Sequence, residues 1–100
     1  MISQNLIKYR FYLGENNKTH KRELQKAINI FNSFKVIGFN LLPSVVGYWE
    51  NQKEKSFIFE VITEEKNLND IKAREIKTEL EKRLKQYLVF TTREEIKVLN

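Results

Sequence analysis

The chain has 100 residues, 41% of them hydrophobic and 12% aromatic, with 18 basic against 13 acidic residues and a net charge of +5. That is enough for one domain with one core, read here as a single unit over residues 1–100. Cysteine is absent, which excludes a disulfide framework, a thiolate nucleophile and cysteine-based zinc sites and fits a reducing, cytoplasmic setting. No stretch reads as a signal peptide or a membrane span, and the basic balance favours anionic partners.

Taken in order, Leu6 to Leu13 alternates, with Ile7, Tyr9, Phe11 and Leu13 on one face and Leu6, Lys8, Arg10 and Tyr12 on the other, which predicts a first strand. Gly14 to Asn17 breaks it. Thr19 is a helix cap, and Leu24, Ala27, Ile28, Phe31 and Phe34 recur at helical spacing, predicting a helix over Thr19 to Phe34. The next strand runs towards Gly47-Tyr48-Trp49 and is interrupted by Pro43, a position for a bulge, an edge or a break. Glu50 to Lys55 reads as the turn of a hairpin whose second arm is Ser56 to Thr63.

In that second arm Phe57, Phe59 and Val61 share one face, and Ile58, Glu60 and Ile62 the other. An unpaired buried carboxylate is costly, so the phenylalanines should face the core. A second helix begins near Asn69 or Asp70, carries Ala73, Ile76, Leu80, Leu84 and Tyr87 as its apolar line, and offers Asp70–Arg74, Glu79–Arg83 and Glu81–Lys85 at the supportive spacing of four. Leu88 to Thr91 is a fourth strand. Glu95 to Leu99 reads as a short extra strand, with a last helical turn as the alternative, since Thr92 and Glu95 have capping-box spacing.

Strand, helix, strand, repeated once, predicts an α+β, ferredoxin-like βαββαβ sandwich: an antiparallel sheet with both helices on one face. The uncovered face then carries Lys8, Arg10 and Tyr12 beside Ile58, Glu60 and Ile62. Such an apolar patch calls for a cover, either a second copy in a homodimer, a partner protein such as a host protein, or an anionic nucleotide ligand. The ligand or partner site is therefore placed at Lys8, Arg10, Tyr12, Tyr48, Trp49 and Glu60.

Other chemistry is poorly served. His20 is the single histidine and opens the first helix; no cysteine or activated serine accompanies it. Glycines are isolated, so no phosphate loop can be built, and the acidic residues lie in connections or on outer helix faces, so neither a metal nor a cofactor is expected. Glu60, mid-strand and expected near Tyr48 and Trp49 and within reach of Arg10, is the one carboxylate suited to a raised pKa or a ligand contact, and the enzyme alternative, a dimeric α+β-barrel type, would rest on it. A nucleic-acid alternative would use Lys18, Lys21 and Arg22.

Two resemblances bear on function. Phe11-Tyr12-Leu13-Gly14 with Glu23-Leu24, and Lys55-Ser56-Phe57-Ile58-Phe59, resemble the first strand and helix and the third-strand aromatic motif of RNA-recognition modules. Ser56 stands where that motif has glycine, Ile58 where it has a small residue, and Glu60 where it has an aliphatic one; stacking on RNA would also turn Glu60 inward, so the resemblance concerns fold. GFNLLPSVVGYWENQKEKSFIFEVI, the Tyr-Leu-Gly strand end and LVFTTREEI resemble small uncharacterised proteins of phages and mobile elements. That resemblance implies an accessory binding protein, such as an anti-defence inhibitor or a protein that sequesters nucleotide signals.

Overall fold

The computed structural model describes residues 4–14, 20–36, 38–49 and 52–99, with backbone alone for residues 4, 20–23, 43–45, 47–49 and 52–55. The elements are β1 (Gln4–Gly14), α1 (His20–Ser33), β2 (Asn40–Trp49), β3 (Gln52–Thr63), α2 (Asp70–Arg83) and β4 (Phe90–Val98). They form one four-stranded sheet in the order β2-β3-β1-β4, antiparallel throughout, with both helices on one face, the ferredoxin-like arrangement that the strand and helix order predicts. None of the described helices is long and apolar enough to cross a membrane.

The direction of β3 is decided by its phenylalanines. Phe57 and Phe59 are buried with Ile7, Tyr9, Phe11 and Leu13 of β1 beneath Ala27, Ile30 and Phe31 of α1 and Ala73, Ile76, Leu80 and Leu84 around α2. Phe31 sits at the centre, its ring 4.8 Å from Phe59, 5.1 Å from Phe11 and 5.5 Å from Phe39. Leu24, Ile28 and Phe34 are only partly buried, while Ile30, which the periodicity passes over, is fully inside.

Several expectations shift. The hairpin turn is shorter than six residues, because Lys55, Glu54, Lys53 and Gln52 pair with Val46, Gly47, Tyr48 and Trp49. The two strands go on pairing as far as Trp49 and Gln52, and the β3 arm there, Gln52 to Lys55, is polar in sequence and has its place in the sheet from backbone pairing, which a hydrophobic pattern cannot register. At Pro43 the register slips between Leu42 and Val45, so the proline makes a bulge and leaves β2 one strand.

The fourth strand and the extra one, or its helical alternative, are one continuous β4 that pairs with β1 from Gln4↔Val98 to Tyr12↔Phe90. Its polar middle, Arg93-Glu94-Glu95, is tolerated at an edge where Lys8 and Asp70 supply counter-charges. Tyr87 lies wholly exposed because α2 stops before it: Leu84 is the C-cap and Lys85 takes φ 53°. The expected ion pairs of α2 do not form. Asp70 pairs with Arg93, Glu81 with Lys77, and among the described residues no ion pair joins Glu79 to Arg83.

The two halves close their helices in the same way. Lys35 N–H donates to Asn32 O and Val36 N–H to Phe31 O at the end of α1, with Lys35 at φ 61°; at the end of α2 Gln86 N–H donates to Glu81 O beyond Lys85. These are Schellman closures with lysine where glycine is usual. At its start α2 is capped by Asn69, whose side chain accepts from Lys72 N–H at 2.9 Å. The cap proposed at Thr19 lies outside the described residues.

Candidate functional site

The face away from the helices carries a polar chain across β2, β3 and β1, with β4 joined to it by a ring contact and a separate ion pair. Alternation places Arg10 and Tyr12 of β1, Glu60 of β3, Asn40 of β2 and Phe90 of β4 on it, and the registers Arg10↔Glu60, Asn40↔Glu60 and Tyr12↔Phe90 bring them side by side. Arg10 Nε donates to Glu60 Oε2 at 2.8 Å, and Asn40 Nδ2 to Glu60 Oε1 at 3.4 Å. Tyr12 and Phe90 hold their rings 5.6 Å apart, tilted by 59°. One turn of alternation further, Lys8 meets Glu94 at 3.6 Å.

Glu60 is buried although no helix lies over it, as is Ile58, while Ile62 is exposed. Burial pushes the Glu60 carboxyl up, but hydrogen bonds from Arg10 and Asn40 and the charges of Arg10 and Lys8 outweigh it, holding the group below the usual carboxylate range. The raised pKa that the sequence allows is thus reversed, and a carboxylate with both oxygens engaged has no proton to give. Its role is to fix Arg10, whose own pKa is raised by hydrogen bonding to Tyr12 and to Glu60. Arg10 remains partly open, with 35% of its side chain exposed.

Of the residues singled out from the sequence, Lys8, Arg10, Tyr12 and Glu60 come together. Tyr48 and Trp49 do not join them: β2 places Tyr48 opposite Lys53, seven residues along β3 from Glu60, or about 23 Å at ~3.3 Å per residue. Their side chains, like those of His20, Lys21 and Arg22, lie outside the described residues, as does the whole of Lys18. Lys21 and Arg22 belong to the first turn of α1, on the helical layer. Asn40, Phe90 and Glu94 were missed, since only the strand registers place them beside the others; the alternation of Phe90, Thr92 and Glu94 was the available signal.

A second cluster lies at the sheet end near α2. Tyr9 donates its hydroxyl to Asp70 Oδ1 at 2.6 Å, Arg93 Nε meets the same oxygen at 3.0 Å, and Arg93 Nη2 meets Glu95 at 3.3 Å. A cleft of about 390 Å³ adjoins it, with Arg93 and Lys97 set against Glu65 and Glu95. At the other end, Gln86 clasps Gly14, accepting from its N–H and donating to its carbonyl. Among the described residues no group of three His, Asp or Glu is placed to hold a metal.

No protein-family model matches the chain, and no curated protein matches it in sequence. Solved structures do match in shape. A nitrogen regulatory PII-like protein from Thiomonas intermedia K12, solved bound to ADP, AMP and bicarbonate, superposes with a TM-score of 0.66 at 11% identity, over 99% of this chain and 100% of that one. The same protein bound to ADP, AMP and acetate gives 0.66 at 10% identity, over 100% and 94%. A PII-like signalling protein from Thermus thermophilus gives 0.53 at 16%, over 99% and 94%. The fold is shared with PII-like proteins. At such identities the likeness speaks for the fold alone, and it spans both chains nearly end to end.

Proposed function

We propose that this protein is a small regulatory protein that binds an adenine nucleotide and does no chemistry on it, with the ligand at the uncovered sheet face. The observation that carries this reading is the end-to-end fold likeness to one PII-like protein that was solved more than once with ADP and AMP bound. The site chemistry agrees with it: a fixed, partly open guanidinium stands beside two aromatic rings, and the nearest carboxylate is held ionised by its own partners. Nucleotide sequestration, one of the roles implied by the sequence resemblance, keeps its place in this reading. The phage and anti-defence setting draws no support from the comparisons.

Titration calorimetry with ADP, AMP and ATP tests it. One site per chain with micromolar affinity is the expected result, and no heat at millimolar nucleotide overturns it. A homodimer is the competing cover for the same face, and native mass spectrometry reads copy number and retained nucleotide together: a dimer that excludes ADP would replace the nucleotide reading with self-association.

A further inference from the structure

We propose that the corner where α2 gives way to β4, residues 82–88, docks this protein on an anionic membrane surface, with Lys82, Arg83 and Lys85 meeting lipid headgroups and Tyr87 and Leu88 entering the interfacial layer. Docking of this kind needs no bound nucleotide.

The corner is held at both ends. Leu84 N–H donates to Leu80 O at 3.0 Å and Gln86 N–H to Glu81 O at 2.9 Å, so the helix closes firmly before the chain leaves it. The Gln86 side chain clasps both backbone groups of Gly14, and Val89 N–H donates to Glu81 Oε2 at 2.9 Å. Leu84 and Val89 are buried, which fixes the link to the core on either side. Between them Tyr87 is wholly exposed and Leu88 keeps 53% of its surface in water. Two apolar side chains are thus presented together on a braced link, which lowers the ordering cost of inserting them.

The cations beside them are free. Lys82, Arg83 and Lys85 are exposed, and among the described residues none has an ion-pair partner. Glu81, the nearest acid in sequence, is taken by Lys77 and the Val89 N–H, and Glu79 pairs with none of the three. Lys82 and Arg83 also answer the negative end of the α2 dipole, a task that requires no apolar neighbour. The same end of the domain gains further positive charge in sequence: α1 opens six residues after the clasped Gly14, with Lys21 and Arg22 in its first turn.

Charge and size together select the occupant. Three unpaired cations call for an anionic surface, and a tyrosine beside a leucine suits the layer between headgroups and acyl chains, where the phenol stays wet and the leucine does not. Two side chains fall far short of the about 800 Å² a side that a specific protein interface needs. A membrane demands no matching shape, and a nucleic-acid strand has no use for an exposed leucine.

The test is co-sedimentation of the full chain with phosphatidylcholine vesicles carrying about a quarter phosphatidylserine, against vesicles of phosphatidylcholine alone. The protein should partition to the anionic vesicles and be released by salt. Lys82→Gln, Arg83→Gln and Lys85→Gln should each weaken partitioning about fivefold, while Lys97→Gln, an unpaired lysine at the far end of β4, should leave it unchanged. Tyr87→Ser/Leu88→Ser should weaken it about tenfold at an unchanged melting temperature, since neither residue belongs to the core. No partitioning, or equal partitioning to neutral vesicles, overturns the proposal. So does a Lys97→Gln loss equal to the others, which would mean diffuse charge, or full retention in Tyr87→Ser/Leu88→Ser. Tighter binding to a thymine oligonucleotide than to the vesicles, insensitive to Leu88→Ser, would overturn it in favour of nucleic acid.

Discussion

The Tyr9 hydroxyl donates to Asp70 Oδ1 at 2.6 Å, tying a core strand to the first turn of α2 across sixty-one positions of sequence. Burial, the hydrogen bond to Asp70 and the Asp70 charge push the Tyr9 pKa up to about 12, with Arg93 opposing them. A pKa raised above its unfolded value of 10.0 gives stability that is complete below about pH 10 and is lost as pH rises through about 12. Tyr9→Phe should therefore cost about 1 kcal/mol at neutral pH and flatten the alkaline limb of stability, read by urea denaturation between pH 8 and 12. An alkaline limb identical to that of the parent protein would show that Tyr9 is not its source.

Glu60 gives the acid limb. Its folded pKa lies below 4.5, so its contribution is present above that value and disappears as pH falls through the folded pKa. Glu60→Gln should lose about 1–3 kcal/mol at neutral pH, because the partly buried Arg10 loses its counter-charge, and should lose less further stability than the parent protein on acidification. Glu81 shifts in the same direction: burial raises its pKa, and Lys77 and the Val89 N–H more than offset that. The double variant Glu60→Gln/Glu81→Gln should be flatter in acid than either single one, measured by thermal melts from pH 3 to 7.

Where a residue's neighbours follow from its own periodicity, the sequence is sufficient to place it. The inward set of β1, the inward phenylalanines of β3 and the buried line of α2 up to Leu84 are all of this kind. What needs a register is illegible. Glu60 was expected near Trp49 because both lie in one hairpin, yet the ribbon extends so far that Asn40 is its true neighbour. Phe90 likewise looks like the end of a buried apolar run, Leu88-Val89-Phe90, and only the pairing with Tyr12 shows that it faces outward while Val89 is inside. The split of β4 into two pieces has the same origin, as ion pairs to other elements let a charged sequence persist as a strand.

The face assignment has a direct consequence for substitutions on opposite faces of β3. Phe59→Ala empties a site lined by Phe31, Phe39 and Phe57 and should cost about 3–5 kcal/mol. Ile62→Ala, three residues on and exposed on the other face, should cost under about 1 kcal/mol. Chemical denaturation of the two variants separates them. Equal losses would mean that the strand is turned the other way, with the isoleucines inward.

The two helix closures offer a gain rather than a loss. Lys35 and Lys85 sit at φ 61° and 53°, a left-handed conformation that costs a residue with a Cβ about 1 kcal/mol and glycine almost nothing. Replacing each with glycine also loosens the unfolded chain, which offsets part of the benefit. The net expectation is that Lys35→Gly and Lys85→Gly each stabilise by about 0.5 kcal/mol and, lying at the ends of different helices, add in the double variant. For a chain of this size that corresponds to about 2–4 °C per site in a thermal melt. A fall in melting temperature at either site would show that its lysine side chain contributes more than its backbone strain removes.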